Sequence, residues 1–210
     1  MTAGQVVTAP DGRRIVLAEI GQTVLFDNER VRVWEVALTP GGTQPWHLHH
    51  NPYLVLCLES SPCHMDWLDG EPPRHIEETV GGVVFRPPSP VHMLTNDGDR
   101  VYRNRLVELK DLGEERVGGL PALGAAPTEP VGPAVVFESD ETRVYAIDLA
   151  PGEGQELPAA GSARVLITLK GSVAVGSVAY RAAGRPWSVE NTSDTPFEGR
   201  LIELKYEESR

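Results

Sequence analysis

The chain has 210 residues, room for one large domain or two small ones of about 100 residues each. Its hydrophobic fraction of 40% is enough for a packed core and excludes a disordered chain. The formal net charge of -11 would repel nucleic acid and anionic membrane surfaces, so neither is expected as a partner.

Residues 1–21 read as an N-terminal strand or arm with no basic-then-apolar signal segment. Residues 31–38 (VRVWEVAL) are rich in β-branched and aromatic side chains and stop at Pro40-Gly41-Gly42, which reads as a strand and its turn. Tyr53 opens a continuous apolar run that ends at Glu59, Ser60, Ser61 and Pro62. Residues 63–68 follow and close on Asp69-Gly70, a pair suited to a tight turn. Residues 83–86, 91–94 and 103–110 continue the pattern, while 76–80 is too short to read as a helix. With 21 glycines and 18 prolines falling between short apolar runs, the expected class is all-β. No apolar run approaches the ~20 residues of a membrane span. Cys57 and Cys63 suggest neither a disulfide framework nor a CxxC site, so a reducing, cytoplasmic setting is the expectation.

The chain then repeats itself. Val24-Leu25-Phe26-Asp27 aligns with Val135-Val136-Phe137-Glu138, and Arg32-Val33-Trp34 with Arg143-Val144-Tyr145. Leu38-Thr39-Pro40-Gly41 aligns with Leu149-Ala150-Pro151-Gly152. The ends agree as well: Arg105-Leu106-Val107-Glu108-Leu109-Lys110 matches Arg200-Leu201-Ile202-Glu203-Leu204-Lys205. The copies start at an offset of 111 and end at 95, so the second lacks 16 residues in its middle. The implied organisation is an arm at 1–21, a β-unit at 22–110, a linker rich in Gly, Pro and Ala at 111–133, and a second β-unit at 134–210.

Of the six histidines, three stand where metal chemistry needs them. His47 and His49 are two apart, and on an extended strand such residues share a face. Tyr53 lies a further even step along, and His92, from a later strand, can close a three-nitrogen site with coordination positions left open. The alternative is a set of hydrogen-bonded core histidines. His50 should face the other side of its strand, at the surface or supporting the site, while His64 and His75 are expected to be exposed.

Gly41-x5-His47-x-His49-x3-Tyr53 resembles the first cupin motif, in which a glycine precedes two histidines and a glutamate. Gly81-x5-Pro87-x4-His92-x3-Asn96 resembles the second, which supplies the last histidine. Tyr53 replaces the motif glutamate, Ser60 a later glycine, and Ser89 the internal glycine of the second motif. The resemblance implies two cupin jelly-roll β-barrels in tandem, with metal ligands His47, His49 and His92 in the first only. In the second copy Pro158, Ala160, Arg164 and Trp187 stand at the positions of His47, His49, Tyr53 and His92. That barrel reads as structural, the alternative being a metal-free ligand pocket on Arg164 and Trp187.

A three-histidine set is similar to that of cupin thiol dioxygenases and diketone-cleaving dioxygenases, which implies a divalent metal: Fe(II) is favoured, with Mn, Ni, Co or Zn as alternatives. Tyr53 is the candidate catalytic residue, hydrogen-bonding a bound molecule rather than ligating, because a phenol of pKa near ~10 gives up its proton reluctantly. By strand parity Val55, Cys57, Leu94 and Asn96 face inward, with Met65 and Trp67 as further candidates. Arg86, Arg103 and Arg105 are strand residues that could supply one anion contact, although arginines on strands usually face solvent. Cys57 is expected to be an inert buried thiol. The expected function is that of a metal-dependent, dioxygenase-like enzyme on a small-molecule substrate. The alternatives are a redox-free isomerase, epimerase or decarboxylase, and a non-enzymatic binding protein. The assembly could be a homodimer through sheet edges, with residues 1–21 as an exchanged strand, the alternative being a monomer whose two halves pack together.

Overall fold

The computed structural model describes residues 3–110 and 134–205; the expected linker at 111–133 lies outside the described residues. The chain divides into two compact units, Met1–Val117 and Gly118–Arg210. Among the described residues the regular structure is β-strand, and no helix is long and apolar enough to cross a membrane.

In the first unit, β1 (Val6–Thr8) and β2 (Arg14–Val16) form an antiparallel hairpin. The segment expected as a strand or arm thus pairs with itself, and its exit is held to the barrel where the Ala18 N–H donates to the Trp46 carbonyl. The barrel strands are β3 (Thr23–Asp27), β4 (Val31–Leu38), β5 (Thr43–His49), β6 (Tyr53–Glu59), β7 (Cys63–Trp67), β8 (Arg74–Ile76), β9 (Val83–Arg86), β10 (Ser89–Asn96) and β11 (Tyr102–Leu109). They form a five-stranded sheet in the order β3-β4-β11-β6-β9 and a four-stranded sheet in the order β5-β10-β7-β8. The chain crosses between these sheets at β4 to β5 and again at β5 to β6, so the two enclose one interior. The turn into β5 needs Gly41 in the left-handed region (φ 70°), which a side chain would resist. Trp34, Val36, Leu38 and Leu106 from one sheet meet Cys63 and Leu94 from the other in the core.

The second unit contains β12 (Ala134–Glu138), β13 (Thr142–Leu149), β14 (Gly154–Leu157), β15 (Arg164–Lys170), β16 (Val178–Arg181), β17 (Trp187–Glu190) and β18 (Phe197–Leu204). Its large sheet runs β12-β13-β18-β15-β16 and β14 pairs with β17, the strand order of the first unit without β7 and β8. The residues missing from the second copy are therefore one hairpin. Buried polar contacts repeat along with the strands. Lys110 Nζ donates to Asp27 and the Asn28 carbonyl, as Lys205 Nζ does to Glu138 and the Ser139 carbonyl. Asn96 Nδ2 donates to the Leu38 and Arg100 carbonyls, as Asn191 Nδ2 does to those of Leu149 and Thr195. Buried Glu108 accepts from Trp34 Nε1, and buried Glu203 from the Tyr145 hydroxyl. Buried polar groups constrain their partners more tightly than apolar packing does, so their survival at equivalent places marks a true duplication of structure.

Candidate metal centre

The centre lies where β5 and β10 pair, and the pairing is irregular there. From His49 to His47 β5 advances two residues while β10 advances three, from Ser89 to His92. From His47 to Gln44 the imbalance reverses, with β10 advancing two, from His92 to Leu94. Each strand thus carries one extra residue, at Pro90-Val91 on β10 and at Pro45-Trp46 on β5. Proline has no N–H to give a ladder and is tolerated in strands at such bulges. Had β10 continued the register set by Ser89 and His49, Val91 would stand opposite His47 and His92 would face outward.

The same two prolines orient the rings that follow them. The Nδ1–H of His47 donates to the Pro45 carbonyl (2.7 Å) and that of His92 to the Pro90 carbonyl (2.8 Å). A carbonyl can only accept, so Nδ1 carries the hydrogen in both rings and Nε2 keeps its lone pair. Ring centroids are 4.3 Å apart for His47–His92, 5.1 Å for His47–His49 and 5.2 Å for His49–His92. One potential ligand atom from each ring lies within 4.8 Å of the other two. The residues are 3%, 2% and 2% exposed for His47, His49 and His92. Burial, reinforced by His92, pushes His47 down to about 3. Burial first, then the neighbouring histidines, holds His49 well below its usual value, and burial lowers His92. Three neutral imidazoles converge on one point, which is the donor set a borderline divalent ion takes. The Nδ1 of His49 is buried with no hydrogen-bond partner, so no protein group fixes the tautomer of that ring; an ion at the focus would do so. The residues fit a metal.

Beside the triad is a cavity of about 40 Å³. Tyr53 lines it, its ring stacked on His49 at 3.9 Å and its hydroxyl 3.4 Å from Ser89 Oγ. Burial raises the Tyr53 phenol, which therefore stays protonated and suits hydrogen bonding better than ligation. Val55, Met65 and Leu94 face the cavity, in keeping with the inward facing expected of them. Trp67 stands edge-on to His92 at 5.5 Å. Asn96 is buried but spends its side chain on backbone groups, and burial raises the Cys57 thiol to about 12, leaving it inert.

Two residues escaped the sequence reading and a third was read two ways. Arg86, either an anion contact or a solvent-facing strand residue by sequence, is the cross-strand partner of Tyr53 on β9, shares its face, and lines the cavity. Glu78, just past β8, and Tyr102 line it too, with the Tyr102 hydroxyl donating to Glu78 Oε2 (2.8 Å). Burial raises the Glu78 carboxyl above its usual range. Glu78 lies outside any regular strand, so parity had no purchase on it. Arg103 and Arg105 instead ion-pair with Glu35 at 3.0 and 3.1 Å. His64 is not exposed: it is half-buried between Asp97 (2.7 Å) and Asp66 (3.2 Å), while His75 is exposed and His50 half-buried. In the second unit the Arg164 side chain is 2% exposed and donates to the Pro158 carbonyl. Trp187 belongs to the core cluster, so both residues are built into the interior. β14 and β17 pair without the bulges of β5 and β10, so Leu157, and not Pro158 as the alignment had it, faces Trp187 as His47 faces His92.

No family model and no curated protein matches the sequence. Solved structures do share its fold. The salicylate 1,2-dioxygenase from Pseudaminobacter salicylatoxidans is 13% identical, with 84% of this chain and 71% of that one covered at a TM-score of 0.54. An oxalate decarboxylase variant from Bacillus subtilis is 14% identical, with 86% and 70% covered at 0.56. AerE from Microcystis aeruginosa is 8% identical, with 88% and 97% covered at 0.58. By its fold the chain carries two cupin-type β-barrels in tandem.

Proposed function

We propose that the protein is a metal-dependent enzyme acting on a small organic molecule in its first barrel, with His47, His49 and His92 holding a divalent ion and Tyr53 contacting the bound molecule. The observation that carries this reading is the convergence of three buried, neutral imidazoles beside a cavity. A divalent ion with three neutral ligands keeps its full charge and open positions, with which it can polarise an oxygen donor or bring dioxygen beside the substrate. Iron and a dioxygenase reaction are favoured, since a three-imidazole set with open positions suits oxygen chemistry. Fold relatives include both a dioxygenase and a decarboxylase. A redox-free decarboxylase or isomerase is the second reading. It is supported by Glu78, a half-buried carboxyl in the same cavity whose raised pKa suits proton donation.

The test is elemental analysis of protein purified without chelators or a metal-affinity tag. Near-stoichiometric iron, lost in His92→Ala, is expected, followed by oxygen uptake with candidate diketones, thiols or flavonoids. Manganese, nickel, cobalt or zinc in the same proportion would select the redox-free reading. No bound metal and none taken up would refute both and leave a metal-free binding protein.

A further inference from the structure

Arg86 has no part in the metal centre, yet it faces the same cavity. Its cross-strand partner is Tyr53, so the guanidinium leaves β9 on the face that carries Tyr53 over His49. It is half-buried. Among the described residues no carboxylate ion-pairs with it: Glu78 shares the cavity and attracts it without a direct ion pair while accepting from Tyr102, and Arg74 adds like charge. Cavity-facing arginines with no protein acceptor are uncommon, because removing the charge from water costs free energy that a partner normally offsets. A bound anion would supply the acceptor that the protein does not, in place of solvent.

The charge balance points the same way. Three neutral imidazoles cancel none of a divalent ion's charge, and Arg86 adds to it, with Glu78 the one acid on the cavity wall. Within a chain of net charge -11 this is a local positive focus, suited to a small anion. The planar guanidinium matches a carboxylate through two parallel hydrogen bonds. The remaining wall, with Val55, Met65, Leu94 and Leu106, is apolar and suits a short carbon skeleton.

We propose that the first barrel takes a small organic acid whose carboxylate is held by Arg86 and whose reacting end faces His47, His49 and His92. This rests on the reading of the triad as a metal centre. The test uses the full chain loaded with Co(II), with the visible spectrum followed during titration with lactate, pyruvate and benzoate, and with lactamide and inorganic phosphate as controls. The expected result is a saturable change with at least one carboxylate and none with lactamide. In Arg86→Gln the carboxylate should bind about ten- to a hundredfold more weakly with cobalt content unchanged, and in Arg86→Lys the loss should be intermediate. Circular dichroism of the variants checks their fold. Full cobalt content with no carboxylate response, equal binding of lactamide, preference for phosphate, or unchanged affinity in Arg86→Gln overturns this proposal and spares the metal centre. Failure to bind cobalt overturns both.

Discussion

Replacing Glu203 by Gln should cost the second unit more than removing either hydroxyl that binds it. Glu203 is fully buried and accepts from the Tyr145 hydroxyl (2.9 Å) and Ser162 Oγ (2.8 Å), with Arg164 Nη2 3.7 Å away. Tyr145→Phe removes one hydrogen bond to a charged acceptor, worth about 1.5–3 kcal/mol. Glu203→Gln keeps one oxygen where the two hydroxyls use two, so one hydroxyl meets an NH2 group. It also leaves the buried Arg164 guanidinium facing a neutral group, and breaking a buried pair costs about 3–5 kcal/mol. Adding Arg164→Met should recover most of that loss, because replacing both charges with packed neutral groups is often near neutral. The chain has two units and a single unfolding transition is not assumed. The assay is therefore amide hydrogen exchange on β13 and β18, read under conditions where exchange reports the free energy of opening. Metal content of the first unit should be unchanged throughout. A Glu203→Gln loss smaller than that of Tyr145→Phe, or no recovery on adding Arg164→Met, would refute the reasoning and show that Arg164 does not depend on Glu203.

Pro90→Ala restores an N–H that can join the ladder and lets the β10 bulge relax, so metal affinity should fall by about ten- to a hundredfold with strand content unchanged. Competition with a chromophoric chelator measures it. His64 is raised above its usual 6.5, mainly by its bond to Asp97, with Asp66 also facing it and the His75 ring 6.5 Å away. Its contribution is therefore fully present below about 6.5 and is lost as pH rises through the higher folded value. The urea midpoint of the first unit should fall across that window, and His64→Gln should flatten the fall. Asn96→Ala leaves the Leu38 and Arg100 carbonyls and the Gly98 N–H without a buried partner, for a loss of about 2–3 kcal/mol. Asn191→Ala should do the same to the second unit, and denaturation with local probes would check both.

By itself the sequence determined the all-β class, the duplication and the three histidines that deserve a metal's attention. Each of these is local information: alternation along a strand, turns at Pro40-Gly41 and Pro151-Gly152, and the i, i+2 spacing of His47 and His49. Parity likewise placed Val55 and Leu94, which share their strands with the residues that anchored it. Register was the tertiary structure's to decide. Whether His92 faces His47 depends on bulges at Pro45 and Pro90, and no count within one strand contains the offset between two. Arg86 reaches the cavity because β9 pairs with β6, and Glu78 because a loop folds over the barrel's interior. A lone strand fixes which residues share a face; which face becomes the inside, and what meets there, is fixed when sheets pair and close.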